Sequence, residues 1–111
     1  MISQVRPSQL DDWLQAHGSD AVVLDVREPW EVQTASVRPE GFQLVVMPMN
    51  QIPARLAELP RDRAIACLCH HGNRSQRVAM FLEQQGWSDV ANVAGGIDAW
   101  SAERDPGVPR Y

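Results

Sequence analysis

The sequence predicts an α/β fold with a central, mostly parallel sheet flanked by helices. Three observations predict it. Short apolar runs rich in Val, Ile and Leu alternate with longer stretches of helical periodicity. Two of those runs end abruptly on a polar or reactive residue, Asp25 and Cys69. The composition, 44% hydrophobic and 22% charged, is that of an ordinary globular chain.

Ser3–Val5 opens as a short strand. Pro7-Ser8 then starts a helix whose apolar face is Leu10, Trp13 and Leu14, with Gly18 closing it. Ala21–Leu24 is a buried parallel strand ending at Asp25. Pro29, pre-set for a first helical turn, begins a short helix carrying Trp30 and Glu31. Phe42–Val46 reads as the next strand, stopped by Pro48, and Gln51–Leu59 as a helix with Ile52, Leu56 and Leu59 on one face. Ala64–Leu68 is a further buried strand, with Cys69 at its carboxyl end. A polar loop leads into a helix from about Arg74 to Gln85, with Val78, Ala79 and Leu82 inward and Gly86 as cap. Asp89–Val93 is the last strand, Gly95-Gly96 a turn, Ile97–Glu103 a short helix, and 105–109 an extended surface coil. In parallel sheets ligands gather beyond the carboxyl ends of the strands, so Asp25 and Cys69 are expected at one crevice.

A chain of 111 residues fits one domain, 1–111, able to bury a core without a metal or disulfide. The net charge of −4, with no clustered basic face, excludes nucleic acid as the expected partner. All ten basic residues are Arg, which rules out lysine Schiff-base chemistry. The first seven residues lack the apolar core of a secretion signal, and no run is long enough to span a bilayer. The expected location is the cytoplasm, where cysteines stay reduced. Cys67 and Cys69 therefore read as chemistry or core packing before they read as a disulfide.

The chemistry is concentrated in Cys69-His70-His71-Gly72-Asn73-Arg74-Ser75. A thiol is a nucleophile only when ionised, and the free amides and dipole of a helix N-terminus favour the thiolate. Gly72 lets the backbone curl into an anion nest. Arg74 adds a planar cationic fork suited to an oxyanion, and Ser75 caps the helix or bonds to the sulfur. Together these groups suit attack by Cys69 on an anionic electrophile.

Leu24-Asp25-Val26-Arg27-Glu28-Pro29-Trp30-Glu31, Cys69 through Ser75, Asn92–Trp100 and the ending Pro109-Arg110-Tyr111 occur in order across nearly the whole chain. In these stretches the sequence resembles the single-domain rhodaneses, a sulfurtransferase family. The resemblance implies a rhodanese-like three-layer domain working without a cofactor. It implies that Cys69 takes a sulfane sulfur from a small donor such as thiosulfate. The persulfide so formed would pass its sulfur to cyanide or to a thiol, a protein thiol included. Arg74 would hold the oxyanion end of the donor. Asp25 is expected to accept hydrogen bonds from loop amides or from Arg74, or else to act as a helix cap; Arg27 and Glu31, spaced i, i+4, are expected to pair.

Four residues separate Cys69 from Arg74, as in rhodaneses, whereas related phosphatases of the Cdc25 type carry five. Phosphatase activity is therefore the weaker alternative. A module that senses redox state or carries sulfur to a protein partner is the stronger one. The chain departs from the family at 33–42, where Glu40-Gly41-Phe42 replaces the usual His-x-x-Gly-Ala. Cys67 reads as core packing, with resolution of an oxidised Cys69 as the other reading. His70 and His71 either contact the donor through their side chains or rim the loop while their amides act. Cys-x-Cys-His-His lacks a second ligand pair, so no metal is expected. Gly95-Gly96, Trp100 and the remaining Trp residues read as turn and packing.

Overall fold

Among the described residues, five short strands build one sheet: β1 (Ser3–Val5), β2 (Val22–Asp25), β3 (Gln43–Val46), β4 (Ile65–Leu68) and β5 (Val90–Val93). Their order is β1-β5-β4-β2-β3, and each pairing is parallel. The structure, a computed structural model, describes residues 2–18 and 20–111; Met1, first residue of the stretch read for a secretion signal, and Ser19 lie outside them.

β2, β4 and β5 are buried along their whole length, which explains why they read as continuous apolar runs rather than alternating ones. Successive side chains point to opposite faces. Val23, Ala66, Leu68, Ala91 and Val93 face one core, where α1 (Leu10–His17) and α4 (Gly96–Glu103) contribute Leu10, Leu14, Ile97 and Trp100. Val22, Leu24, Ile65, Cys67 and Val90 face the other, covered by Val78, Ala79 and Leu82 of α3 (Asn73–Gln84). The result is helix, sheet, helix: the three layers expected. Among the described residues no helix is long and apolar enough to cross a membrane.

Register sets the position of the site. Asp25 pairs with Leu68, so β2 and β4 end at the same level and release Val26 and Cys69 side by side. The short α2 (Pro29–Thr34) follows at that edge, its first turn closed by a capping box in which the Glu31 side chain accepts the Glu28 amide.

Two expectations fail. Gln51–Leu59 is not one helix but two 3-10 turns, Met49–Gln51 and Leu56–Glu58, joined by further turns. The Arg55 amide still reaches Gln51 O at 3.0 Å, but the bonds after it run three residues back, Glu58 N to Arg55 O and Leu59 N to Leu56 O, the tight turns usual in short connectors. Ile52 and Leu59 still bury into the core beneath α3. The 105–109 segment is a turn rather than an extended coil: the Val108 amide donates to Asp105 O at 3.1 Å, and its carbonyl accepts from buried Ser101. Val108 enters the core, and the chain is led back toward the carboxyl edge of the sheet.

Candidate active site

Cys69 follows β4 directly and is 1% exposed. The loop after it closes around its sulfur. The amides of Gly72 and Ser75 donate to Sγ at 3.1 and 3.3 Å, and Ser75 Oγ lies 3.2 Å away. Gly72 caps α3 in the left-handed region (φ +105°), a conformation that a side chain would strain. Two inward N–H dipoles at a helix start stabilise negative charge on the sulfur.

The loop is anchored from outside as well. The first turn of α4 donates Ile97 N to Cys69 O (2.8 Å) and Asp98 N to His70 O (3.1 Å). Both bonds tie the start of the loop to α4. Gly96 makes the approach possible, since a Cβ there would collide with those same two carbonyls. The glycine pair that read as a turn is thus also the floor of the loop.

Asn92, which sequence reading did not single out, supports the loop from β5. Its Nδ2 donates to Gly72 O at 3.1 Å and to Gln4 Oε1 at 2.9 Å, while its Oδ1 accepts from Ser75 Oγ at 2.5 Å. The signal was a polar residue inside the apolar run 90–93, and such a side chain, here 3% exposed, needs partners.

Asp25 does not reach the loop amides or Arg74 as expected. Its oxygens are taken by Arg27: Nε to Oδ1 at 2.9 Å, Nη2 to Oδ2 at 2.7 Å, and the Arg27 amide to Oδ1 at 3.2 Å. A planar guanidinium two residues away offers a better fit to a carboxylate than separate amides do. Nor does Arg27 pair with the Glu31 carboxylate. It donates instead to Glu31 O, to Ala35 O at 2.7 Å and to Tyr111 Oη at 2.9 Å. Ala35 O, in the stretch where the sequence leaves the family pattern, is thus one of the acceptors around a fully buried Arg27.

Glu31 pairs with Arg74, Nη1 to Oε1 at 2.6 Å and Nη2 to Oε2 at 2.8 Å. Tyr111 Oη donates to Oε2 at 2.7 Å. Arg74 is the main cause that holds the Glu31 carboxyl well down, to about 2, with Tyr111 and the Glu28 amide adding to it against burial. Burial is the main cause that pushes the Tyr111 phenol up to about 12, with Glu31 raising it and Arg27 opposing. Asp25, Arg27, Tyr111, Glu31 and Arg74 thus form one continuous chain of charged and hydrogen-bonded groups.

The loop histidines form a stack. His70 lies 3.9 Å from the Tyr111 ring at 10° and 3.9 Å from His71 at 22°. Its Nε2 is buried and, among the described residues, has no hydrogen-bond partner. Burial, then His71, pushes its titration below the usual histidine range. His71 and Asn73 are exposed on the rim. Trp30, read as packing, is 62% exposed and meets Tyr111 edge-on. Cys67 is fully buried and unpaired; burial, then Cys69, pushes its thiol up, as befits an inert core residue.

Comparison with known proteins agrees with this geometry. The family model described as a rhodanese-like domain matches residues 6–103. A sulfurtransferase of Allochromatium vinosum is 36% identical over 101 residues, which is 91% of this chain and 90% of that protein. The adenylyltransferase and sulfurtransferase MOCS3-2 of Zea mays is 33% identical over 97 residues, 85% of this chain but 20% of that longer protein. The crystal structure of a rhodanese-related protein from Thermoplasma volcanium superposes with a TM-score of 0.78 at 31% identity, covering 98% of this chain and 99% of the other. The chain belongs to the rhodanese-like family.

Proposed function

We propose that this protein is a rhodanese-type sulfurtransferase, with residues 1–111 as one such domain and Cys69 as the sulfur carrier. The observation that carries the reading is the convergence of the Gly72 and Ser75 amides on Sγ within a loop only four residues long between Cys69 and Arg74. The Cys69 thiolate attacks the outer sulfur of thiosulfate or a similar donor. A new S–S bond forms, the donor's own S–S bond breaks, and sulfite leaves with the electron pair. The persulfide's negative outer sulfur is then attacked by cyanide or a thiol, and Cys69 leaves as thiolate. The inward amides support both the thiolate and the persulfide anion. His70, His71, Gly72, Asn73, Arg74 and Ser75 form the walls, with Asp25 and Arg27 as support. Two unpaired cysteines suit the reducing cytoplasm, where we place the protein.

Cys69, a residue 1% exposed, admits a donor end-on, through a single atom. The same burial favours a second reading, a carrier that delivers sulfur only to a docked protein thiol. Relatives in which this region is a fifth of a longer protein support it too. Intact mass after incubation with thiosulfate tests the proposal. A gain of one sulfur atom, absent in Cys69→Ser, is expected, together with thiocyanate formation when cyanide is added. Sulfur loading without thiocyanate would favour the carrier. No loading from thiosulfate or from a persulfide would remove both.

A further inference from the structure

We propose that Glu31 is a specificity-determining residue: its carboxylate neutralises Arg74 and so turns the site away from small dianionic sulfur donors. The inference rests on the sulfur-transfer reading above and names the donor charge that this site accepts. Arg74 is the loop's cation, expected to hold a donor's oxyanion. Both of its terminal nitrogens are instead engaged by Glu31, at 2.6 and 2.8 Å. Glu31 is not a mobile surface group that an incoming anion could brush aside. It is 3% exposed, and its oxygens also accept from the Glu28 amide (3.1 Å) and from Tyr111 Oη (2.7 Å). Tyr111 is in turn held by Arg27, and Arg27 by Asp25.

The charge count follows from these contacts. Asp25 cancels Arg27 and Glu31 cancels Arg74, so the carboxyl edge presents inward amides without a net cation. Burial, then His71, also disfavours a positive charge on the His70 ring. A sulfonate end seated against Arg74 would have a fixed carboxylate directly behind that guanidinium, at short range in a partly desolvated site where charge interactions are strong. A persulfide donor of an uncharged carrier has at most one negative charge and no sulfonate to seat there, so it meets a smaller penalty. In that case the Cys69 thiolate attacks the outer sulfur of R–S–SH, the S–S bond breaks, and R–S⁻ leaves with the electron pair.

The test compares thiosulfate with 2-hydroxyethyl persulfide as donors to the whole chain. The wild-type kcat/KM is expected to favour the persulfide. Glu31→Gln, which removes the charge at nearly constant shape, is expected to raise kcat/KM for thiosulfate at least tenfold, mainly through KM. The same substitution should change the persulfide value less than threefold. Glu31→Asp, which keeps the charge, should leave thiosulfate within threefold of wild type. A Glu31→Gln protein that melts normally yet uses thiosulfate no better, or worse, would show that Glu31 orients Arg74 rather than filtering charge, and would overturn the proposal. So would equal gains for both donors, or a wild type that prefers thiosulfate. If Glu31→Gln does not fold, Tyr111→Phe loosens the same carboxylate and should improve thiosulfate about threefold; no change would then count against the filter. Failure of both donors to load Cys69 in the wild type would instead defeat the sulfur-transfer reading itself.

Discussion

The hydroxyl of Ser75 gives its proton to Asn92 Oδ1 at 2.5 Å and therefore turns a lone pair toward Cys69 Sγ, 3.2 Å away. The direction is set by Gly72, whose carbonyl can only accept. It fixes Nδ2 of Asn92 on its own side and leaves Oδ1 facing Ser75. With one proton to give, Ser75 receives from a thiol in this arrangement; it must break from Asn92 to donate to a thiolate. Removing Oδ1 is therefore expected to favour the ionised sulfur. Asn92→Ala should raise the rate of Cys69 alkylation at fixed pH by up to about tenfold, the worth of one hydrogen bond to a charged group. In a Ser75→Ala background the same substitution should have no such effect. An equal change in both backgrounds would mean that Asn92 acts only by holding Gly72.

Gly96→Ala should disable the loop without touching it chemically. The residue has φ +62°, and an added Cβ would meet the carbonyls of Cys69 and His70. Those carbonyls are the ones that Ile97 and Asp98 hold. A loss of more than about 2 kcal/mol in stability is expected from a denaturant melt, from backbone strain plus the lost contacts. Activity should fall further than the folded fraction does, because the inward amides are displaced.

The acid limb of stability should carry the signature of Glu31. Its carboxyl titrates near 2 in the fold, chiefly because of Arg74, against an ordinary value of 4.5. A lowered carboxyl gives stability that is fully present above pH 4.5 and is lost as the pH falls toward 2. Chemical melts at pH 5 and pH 3 should differ less in Glu31→Gln than in the wild type. A difference as large in the variant would assign the acid limb to other carboxylates.

His70 should produce a shallower loss at mildly acidic pH. A base whose titration is pushed below 6.5 stabilises the fold above that value and loses the contribution as the pH falls. Because Nε2 has no partner among the described residues, His70→Phe sacrifices no bond there and keeps a ring against Tyr111. The variant should match the wild type at pH 8 within about 1 kcal/mol and decline less between pH 7 and pH 5. An unchanged decline would assign the effect to groups other than His70.

Local rules carried much of the fold and the centre of the site. Apolar runs broken by turn residues located the five strands, and glycine positions located the helix ends, because both depend on neighbours in sequence. The helix over 51–59 failed because periodicity alone looked helical there, while the bonds that close the second turn run three residues back rather than four. The loop was legible because Cys69, Gly72, Arg74 and Ser75 lie within seven residues and act on one another through backbone geometry.

The partners of those residues were not legible, because long-range pairing is decided by which elements the sheet brings side by side. Spacing suggested Arg27 with Glu31 and Asp25 with the loop; parallel pairing of β2 with β4 and the return of the chain at Val108 gave Arg27 to Asp25 and Tyr111, and Arg74 to Glu31. Asn92 under Ser75 and Gly96 under His70 arise in the same way, from β5 and α4 closing beneath the loop. By itself, then, the sequence determined that Cys69 would sit at a strand end within a curled, amide-lined loop, since that needs only contiguous residues. Only the tertiary structure decided which charges surround it, because a charge is satisfied by whatever group packing places within reach.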